Sequence, residues 1–206
     1  RYYFGVDLDL DEQFLSGIRK RWGDKVEINA LDASGRFEVD EAIQIIKRFS
    51  VFNPNLFESP LKNRFDRPIE DFVAVREAVD VPISEHLSEY EYAARFAQHH
   101  AVDVFNIGPG YIGITATQKV FGLVELFGLG ALLGSTVEMS IGTAGRAHLA
   151  AALPNIDFPC YPAGPVVYDE QIVKERVRYE AGHLIVPEGP GLGVEIDEDR
   201  LKAQTL

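Results

Sequence analysis

The chain has 206 residues, 46% hydrophobic and 25% charged, enough apolar material for one sizeable core, and a formal net charge of -12. That charge repels a phosphate backbone, and no cluster of Lys and Arg interleaved with aromatics reverses it locally, which argues against a nucleic-acid partner. One cysteine, Cys160, leaves no internal disulfide and no cysteine-built zinc site, and fits a reducing cytoplasm.

From Arg1 to about Leu153, short β-rich runs alternate with longer segments of helical period, the pattern of parallel strands joined by helical crossovers. Strands are predicted over residues 2–6, 26–31, 55–57, 81–84, 102–107 and 131–136, each followed by a helix beginning near Asp11, Val39, Ile69, Ser88, Thr115 and Gly142 in turn. A repeat of about 25–30 residues suits a barrel of strand–helix units with its site at the C-terminal ends of the strands. A complete barrel has about eight such units, so one is expected upstream and a further strand from the tail, where residues 183–186 are β-like. The most apolar stretch, residues 120–133, is broken by Glu125 and too short for a membrane span. The start, Arg1-Tyr2-Tyr3-Phe4-Gly5, has no signal-peptide pattern and no initiator Met, so the chain is expected to begin inside a larger protein.

Three consecutive predicted strands end in metal-ligand chemistry: Asp32, Glu58, and the step Glu85-His86. Neighbouring parallel strands lie about 4.8 Å apart, so these side chains can converge on one ion. A hard dication such as Mg²⁺ prefers oxygen ligands and supports enolate formation by offsetting charge as a proton leaves the carbon next to a carboxylate. Acidic residues also serve at strand ends as helix N-caps and solvent-facing turns, and spacing alone leaves both readings open.

Longer segments carry a resemblance. Leu31-Asp32-Ala33-Ser34-Gly35-Arg36-Phe37, Phe57-Glu58-Ser59-Pro60-Leu61 and Val81-Pro82-Ile83-Ser84-Glu85-His86 are similar to the three metal-ligand elements of the mandelate racemase/muconate lactonizing enzyme family, within the enolase superfamily. Gly134-Ser135-Thr136-Val137-Glu138-Met139 resembles its seventh-strand segment, in which Glu138 falls on the active-site glutamate. The closing Pro187-Glu188-Gly189-Pro190-Gly191-Leu192-Gly193 is similar to the end of the muconate-cycloisomerase branch. The resemblance implies an α/β fold, a TIM-like (β/α)7β barrel lacking its first unit and its N-terminal capping domain, with residues 1–206 the C-terminal barrel domain of a larger protein. It further implies a divalent metal, a small carboxylate-bearing substrate, contact with the protein's own capping domain and homo-oligomeric assembly. The implied reaction is proton abstraction alpha to a carboxylate, leading to racemisation, cycloisomerisation or elimination.

The pattern breaks at the proton carriers. Arg1 and Tyr3 stand where the family's second strand has Lys-x-Lys, and Gly108 where the sixth strand has lysine. The third ligand position holds His86, with Glu85 one step earlier; imidazole favours Mn²⁺ or Zn²⁺ over Mg²⁺. Two readings follow. In one, the chain is an isomerase or lyase using Tyr3, Arg1, His86 or Glu138 for proton transfer, although phenol and guanidinium have ordinary pKa values of about 10 and above about 12. In the other, catalysis is lost and the barrel survives as a binding or structural protein.

Gly108-Pro109-Gly110-Tyr111-Ile112-Gly113 fits a dinucleotide fingerprint, but Pro109 occupies the turn and no acidic residue ends the next strand. Asp7-Leu8-Asp9-Leu10-Asp11 fits a helix-capping acidic turn better than a calcium loop, since Glu12 stands where Gly is needed. His148 is expected as a satisfied helix-face residue, Lys62 as a loop lysine, and His99 and His100 as surface or packing residues.

Overall fold

The structure, a computed structural model, describes residues 1–87 and 89–205. Strands and helices alternate: β1 Tyr2–Tyr3, α1 Leu8–Trp22, β2 Leu31–Asp32, α2 Val39–Phe49, β3 Phe57–Glu58, α3 Ile69–Glu77, β4 Ile83–His86, α4 Tyr90–Gln98, β5 Val104–Ile107, α5 Pro109–Leu126, β6 Gly130–Leu133 and α6 Ser140–Ala152. The tail adds α7 Gly164–Val167, β7 Tyr179–Glu180, β8 His183–Leu184 and α8 Glu198–Gln204. The chain divides into a first unit, Arg1–His86 with Glu91–Phe105 and Phe127–Leu129, and a second, Leu87–Tyr90 with Asn106–Leu126 and Gly130–Leu206.

In the first unit the strands pair in parallel and in chain order, β1 with β2, β2 with β3, β3 with β4. Helices between them bury one stripe each. In α2 the buried residues are Ala42, Ile45, Ile46 and Phe49, the spacing of a helix that lays a single apolar face on a sheet. Phe4, 2% exposed, is the aromatic centre, with ring centroids 6.0 Å from Phe37, 5.2 Å from Phe49 and 5.9 Å from Phe57. In the second unit Gly134 N donates to Ile107 O at 2.7 Å, and Val120, Phe121, Val124, Leu132, Leu133, Ala144 and Leu149 are buried.

The expected strand-and-helix alternation is present, with shifts that have local causes. Helix α1 starts at Leu8 rather than near Asp11, because Asp7 caps it by accepting from Asp9 N and Leu10 N. The acidic turn is therefore a cap, and Asp11 accepts from Tyr2 Oη at 2.6 Å and Gly5 N at 2.7 Å. Helix α5 starts at Pro109 rather than Thr115, with a kink at Gly113, φ +75°. The helix start expected at Ser88 falls outside the described residues. The tail strand is corrected: β8 pairs antiparallel with β7 alone among the described residues. Ala181 and Gly182, both at positive φ, form the two-residue turn that closes this hairpin. Among the described residues no helix is long and apolar enough to cross a membrane.

Replacing Phe4 with Ala is expected to destabilise the protein by about 3–5 kcal/mol, since one ring fills the space between three others. The measurement is chemical denaturation; a loss within experimental error of zero would show that this cluster does not hold the first unit together.

Candidate active site

Parallel pairing of β2 with β3 sets Asp32 opposite Glu58. Leu31 and Phe57, one residue earlier on each strand, are buried, as residues on the other face of the two strands. The register is held by Leu31 N donating to Leu56 O at 3.1 Å and Ala33 N donating to Glu58 O at 2.9 Å. The outcome is a pair of acidic side chains, 3% and 0% exposed, side by side.

Arg1 lies against both. Its Nη2 donates to Glu58 Oε2 at 2.5 Å and its Nη1 is 3.6 Å from Asp32 Oδ2. Asp32 Oδ1 is taken separately, accepting from Ser34 N at 2.8 Å and Ser34 Oγ at 3.1 Å. Beyond Glu58 stands His86, whose Nε2 is 3.3 Å from Glu58 Oε1. Ser59 Oγ donates to Glu85 Oε1 at 2.7 Å, accepts from Arg64 Nη1 at 3.0 Å and lies 3.1 Å from His86 Nδ1. Glu85 turns toward Ser59 and Arg64: Oε1 also accepts from His86 N at 2.7 Å and lies 3.3 Å from Arg64 Nη1. Glu85 Oε2 is buried with no hydrogen-bond partner among the described residues.

Burial pushes the Glu58 carboxyl up to about 7; the charges of Arg1 and His86 oppose the rise and those of Asp32 and Glu85 add to it. The chemistry of Asp32, Glu58 and the orphaned Glu85 oxygen fits a small hard cation. As they stand, however, no three His, Cys, Asp or Glu side chains among the described residues are grouped to hold one. The place against both Asp32 and Glu58 is taken by the Arg1 guanidinium.

In the second unit Glu138 follows β6 in a tight loop. Thr136 N at 2.9 Å, Thr136 Oγ1 at 3.1 Å and Ser135 Oγ at 3.2 Å donate to its Oε2, and Arg146 Nε pairs with Oε1. Glycines clear its surroundings: a Cβ at Gly142 would meet Glu138 Cγ at 2.7 Å, and one at Gly164 would meet Glu138 O at 1.7 Å. Burial alone would raise the Glu138 carboxyl, but the Arg146 charge and two backbone donors outweigh it and hold the group below its ordinary value. Burial in turn lowers Arg146, which is 2% exposed.

Of the residues picked out by sequence, Arg1, Asp32, Glu58, Glu85 and His86 form one network. Tyr3 is in register with Asp32 but 60% exposed, and its hydroxyl makes no hydrogen bond to a described residue. Glu138 has Arg146 as its ionic partner. His148 Nε2 meets Leu192 O at 3.2 Å, as a satisfied helix-face histidine should, and Lys62 pairs with Glu38 at 2.8 Å. Sequence reading missed Arg64, Ser59 and Arg146. Only Arg146 left a signal, as a lone charge among the small apolar residues of α6.

The family profile described as Enolase C-terminal domain-like matches residues 2–200. The chain belongs to this family. Its expected fold class, a TIM-like α/β barrel domain of the enolase superfamily, follows from that membership. Among its relatives, the chloromuconate cycloisomerase of Pseudomonas putida is 29% identical over 194 residues, 93% of this chain and 52% of the relative. Muconate cycloisomerase 1 of Rhodococcus opacus is 28% identical over 203 residues, 97% of this chain and 52% of the relative. The crystal structure of muconate cycloisomerase from Pseudomonas fluorescens superposes with a TM-score of 0.90 at 25% identity, covering 98% of this chain and 56% of that one. The chain thus spans about half the length of the relatives it matches.

The raised Glu58 value gives a pH dependence. The folded value, about 7, lies above the ordinary 4.5, so between those pH values the folded protein keeps a proton that the unfolded chain has released. Stability of the cation-free protein should therefore fall by about 1–3 kcal/mol as pH rises through that window. Denaturation curves should show this slope in the native protein and lose it in Glu58→Gln; equal slopes in both would remove Glu58 as its source.

Proposed function

We propose that the whole protein is an isomerase or lyase that removes a proton alpha to the carboxylate of a small organic acid, with a divalent cation as cofactor, Mg²⁺ first. The observation that carries this reading is the buried, in-register pair Asp32 and Glu58 at the ends of adjacent parallel strands. Removing two carboxylates from water side by side is unfavourable without a cation between them. Membership of a family whose relatives include muconate and chloromuconate cycloisomerases supports the reaction class.

Asp32 and Glu58 would hold the cation, with His86 as third ligand. His86 faces Glu58, whereas Glu85 Oε1 is already engaged by Ser59 and Arg64, which leaves Glu85 Oε2 as the alternative. His86 as ligand widens the metal choice to Mn²⁺ or Zn²⁺. When bound, the cation supplies positive charge against the charge that develops on the substrate carboxylate. Arg1 is suited to clamp a substrate carboxylate through its planar fork, and Tyr3, exposed beside Asp32, is the candidate proton carrier. Glu138, ionised by its pairing with Arg146, acts as a fixed charge or base and not as an acid. An N-terminal capping domain, assembly into a homo-oligomer and a cytoplasmic location belong to the same reading.

The second reading, a binding or structural barrel without catalysis, is favoured by one observation: Arg1 already neutralises the carboxylate pair from within. Exchange of substrate alpha-protons with solvent deuterium separates the two. The full-length protein with Mg²⁺ or Mn²⁺ should exchange protons of at least one member of a panel of 2-hydroxy acids, amino acids and muconolactone, and Asp32→Asn should abolish it. Absence of exchange across the panel would leave the binding reading.

A further inference from the structure

We propose that Arg1 is the resting counter-cation of the Asp32–Glu58 pair and that a divalent cation binds there only by displacing it, so that Arg1 sets the cation affinity of the site. This rests on the cation site proposed above and adds its control. The argument lies in which oxygens are engaged. Asp32 Oδ1 accepts two hydrogen bonds from Ser34, so Oδ2 is the oxygen left to face an ion, and Oδ2 is the atom 3.6 Å from Arg1 Nη1. Glu58 Oε1 faces His86 Nε2, so Oε2 is the corresponding oxygen, and Oε2 is the atom 2.5 Å from Arg1 Nη2. The two atoms that an ion would need are the two that the guanidinium fork holds.

A dication takes carboxylate oxygen at about 2.0–2.1 Å and cannot share those lone-pair directions with a guanidinium at hydrogen-bond distance. The fork also differs from an ammonium in kind. Arg presents two parallel donors that span neighbouring carboxylates, whereas Lys presents a compact point charge on a flexible stem. The Arg1 side chain is 15% exposed, so it reaches solvent where Asp32 and Glu58, at 3% and 0%, do not.

The test is calorimetric titration of Mn²⁺ into the full-length protein, native and carrying Arg1→Ala or Arg1→Lys, at fixed pH and salt, with circular dichroism confirming the fold of each. Arg1→Ala is expected to bind about ten-fold tighter than native, and Arg1→Lys, which keeps the charge but cannot bridge both carboxylates, to fall between them. Native and Arg1→Lys binding equally, with only Arg1→Ala tighter, would reduce Arg1 to a nearby charge and overturn displacement. Equal binding by all three would overturn it while leaving the cation site in place. Binding by none would remove the cation site itself, and the proposal with it.

Discussion

The constraint on which the rest of this site depends is electrostatic. Parallel strand pairing puts Asp32 and Glu58 opposite one another, and packing removes both from water. Two like charges in that setting are tolerated only if something positive stands between them or if one stays protonated. The protein uses both devices. Arg1 reaches across the pair, and burial raises the Glu58 carboxyl toward neutrality, against the opposing charges of Arg1 and His86. In the proposed arrangement, an entering dication would have to release the arginine and draw off any proton held on Glu58.

Glu138 answers the same problem differently. Its carboxylate lies in a loop with backbone and hydroxyl donors, and buried Arg146 completes its shell. The Arg146 charge and the backbone donors outweigh burial, so Glu138 is held below its ordinary value while Glu58 is held above it. Two glutamates of one chain are thus driven apart in proton affinity by their surroundings, the condition under which carboxylates take different chemical roles.

Much of this was legible in the sequence, and the reasons are physical. Alternation of β-rich runs with helical period reports burial directly, so Val39 and Ile69 begin helices where the pattern places them. Hydrogen-bond register sets Asp32 opposite Glu58 and leaves His86 beside Glu58, whereas Glu85 turns to Ser59 and Arg64, a side-chain choice that the order of residues does not reveal. Capping chemistry moved α1 to Leu8, and a pair of positive-φ residues turned the tail strand into a hairpin; both are decided by backbone geometry at one or two residues, which periodicity does not register. Long-range charge pairing was the least legible. Nothing in the order of residues joins Arg1 to Glu58, Arg64 to Glu85 or Arg146 to Glu138, because each pair is made by packing between separate elements of the chain.

The most direct measurement is a crystal structure of the full-length protein grown with Mn²⁺ and recorded at a wavelength where manganese scatters anomalously. The account predicts an anomalous peak about 2.1 Å from Asp32 Oδ2 and Glu58 Oε2, the coordination distance of a small hard dication, with the Arg1 guanidinium turned away from both. Arg1 still bridging the two carboxylates, with no peak between them at saturating Mn²⁺, would contradict it.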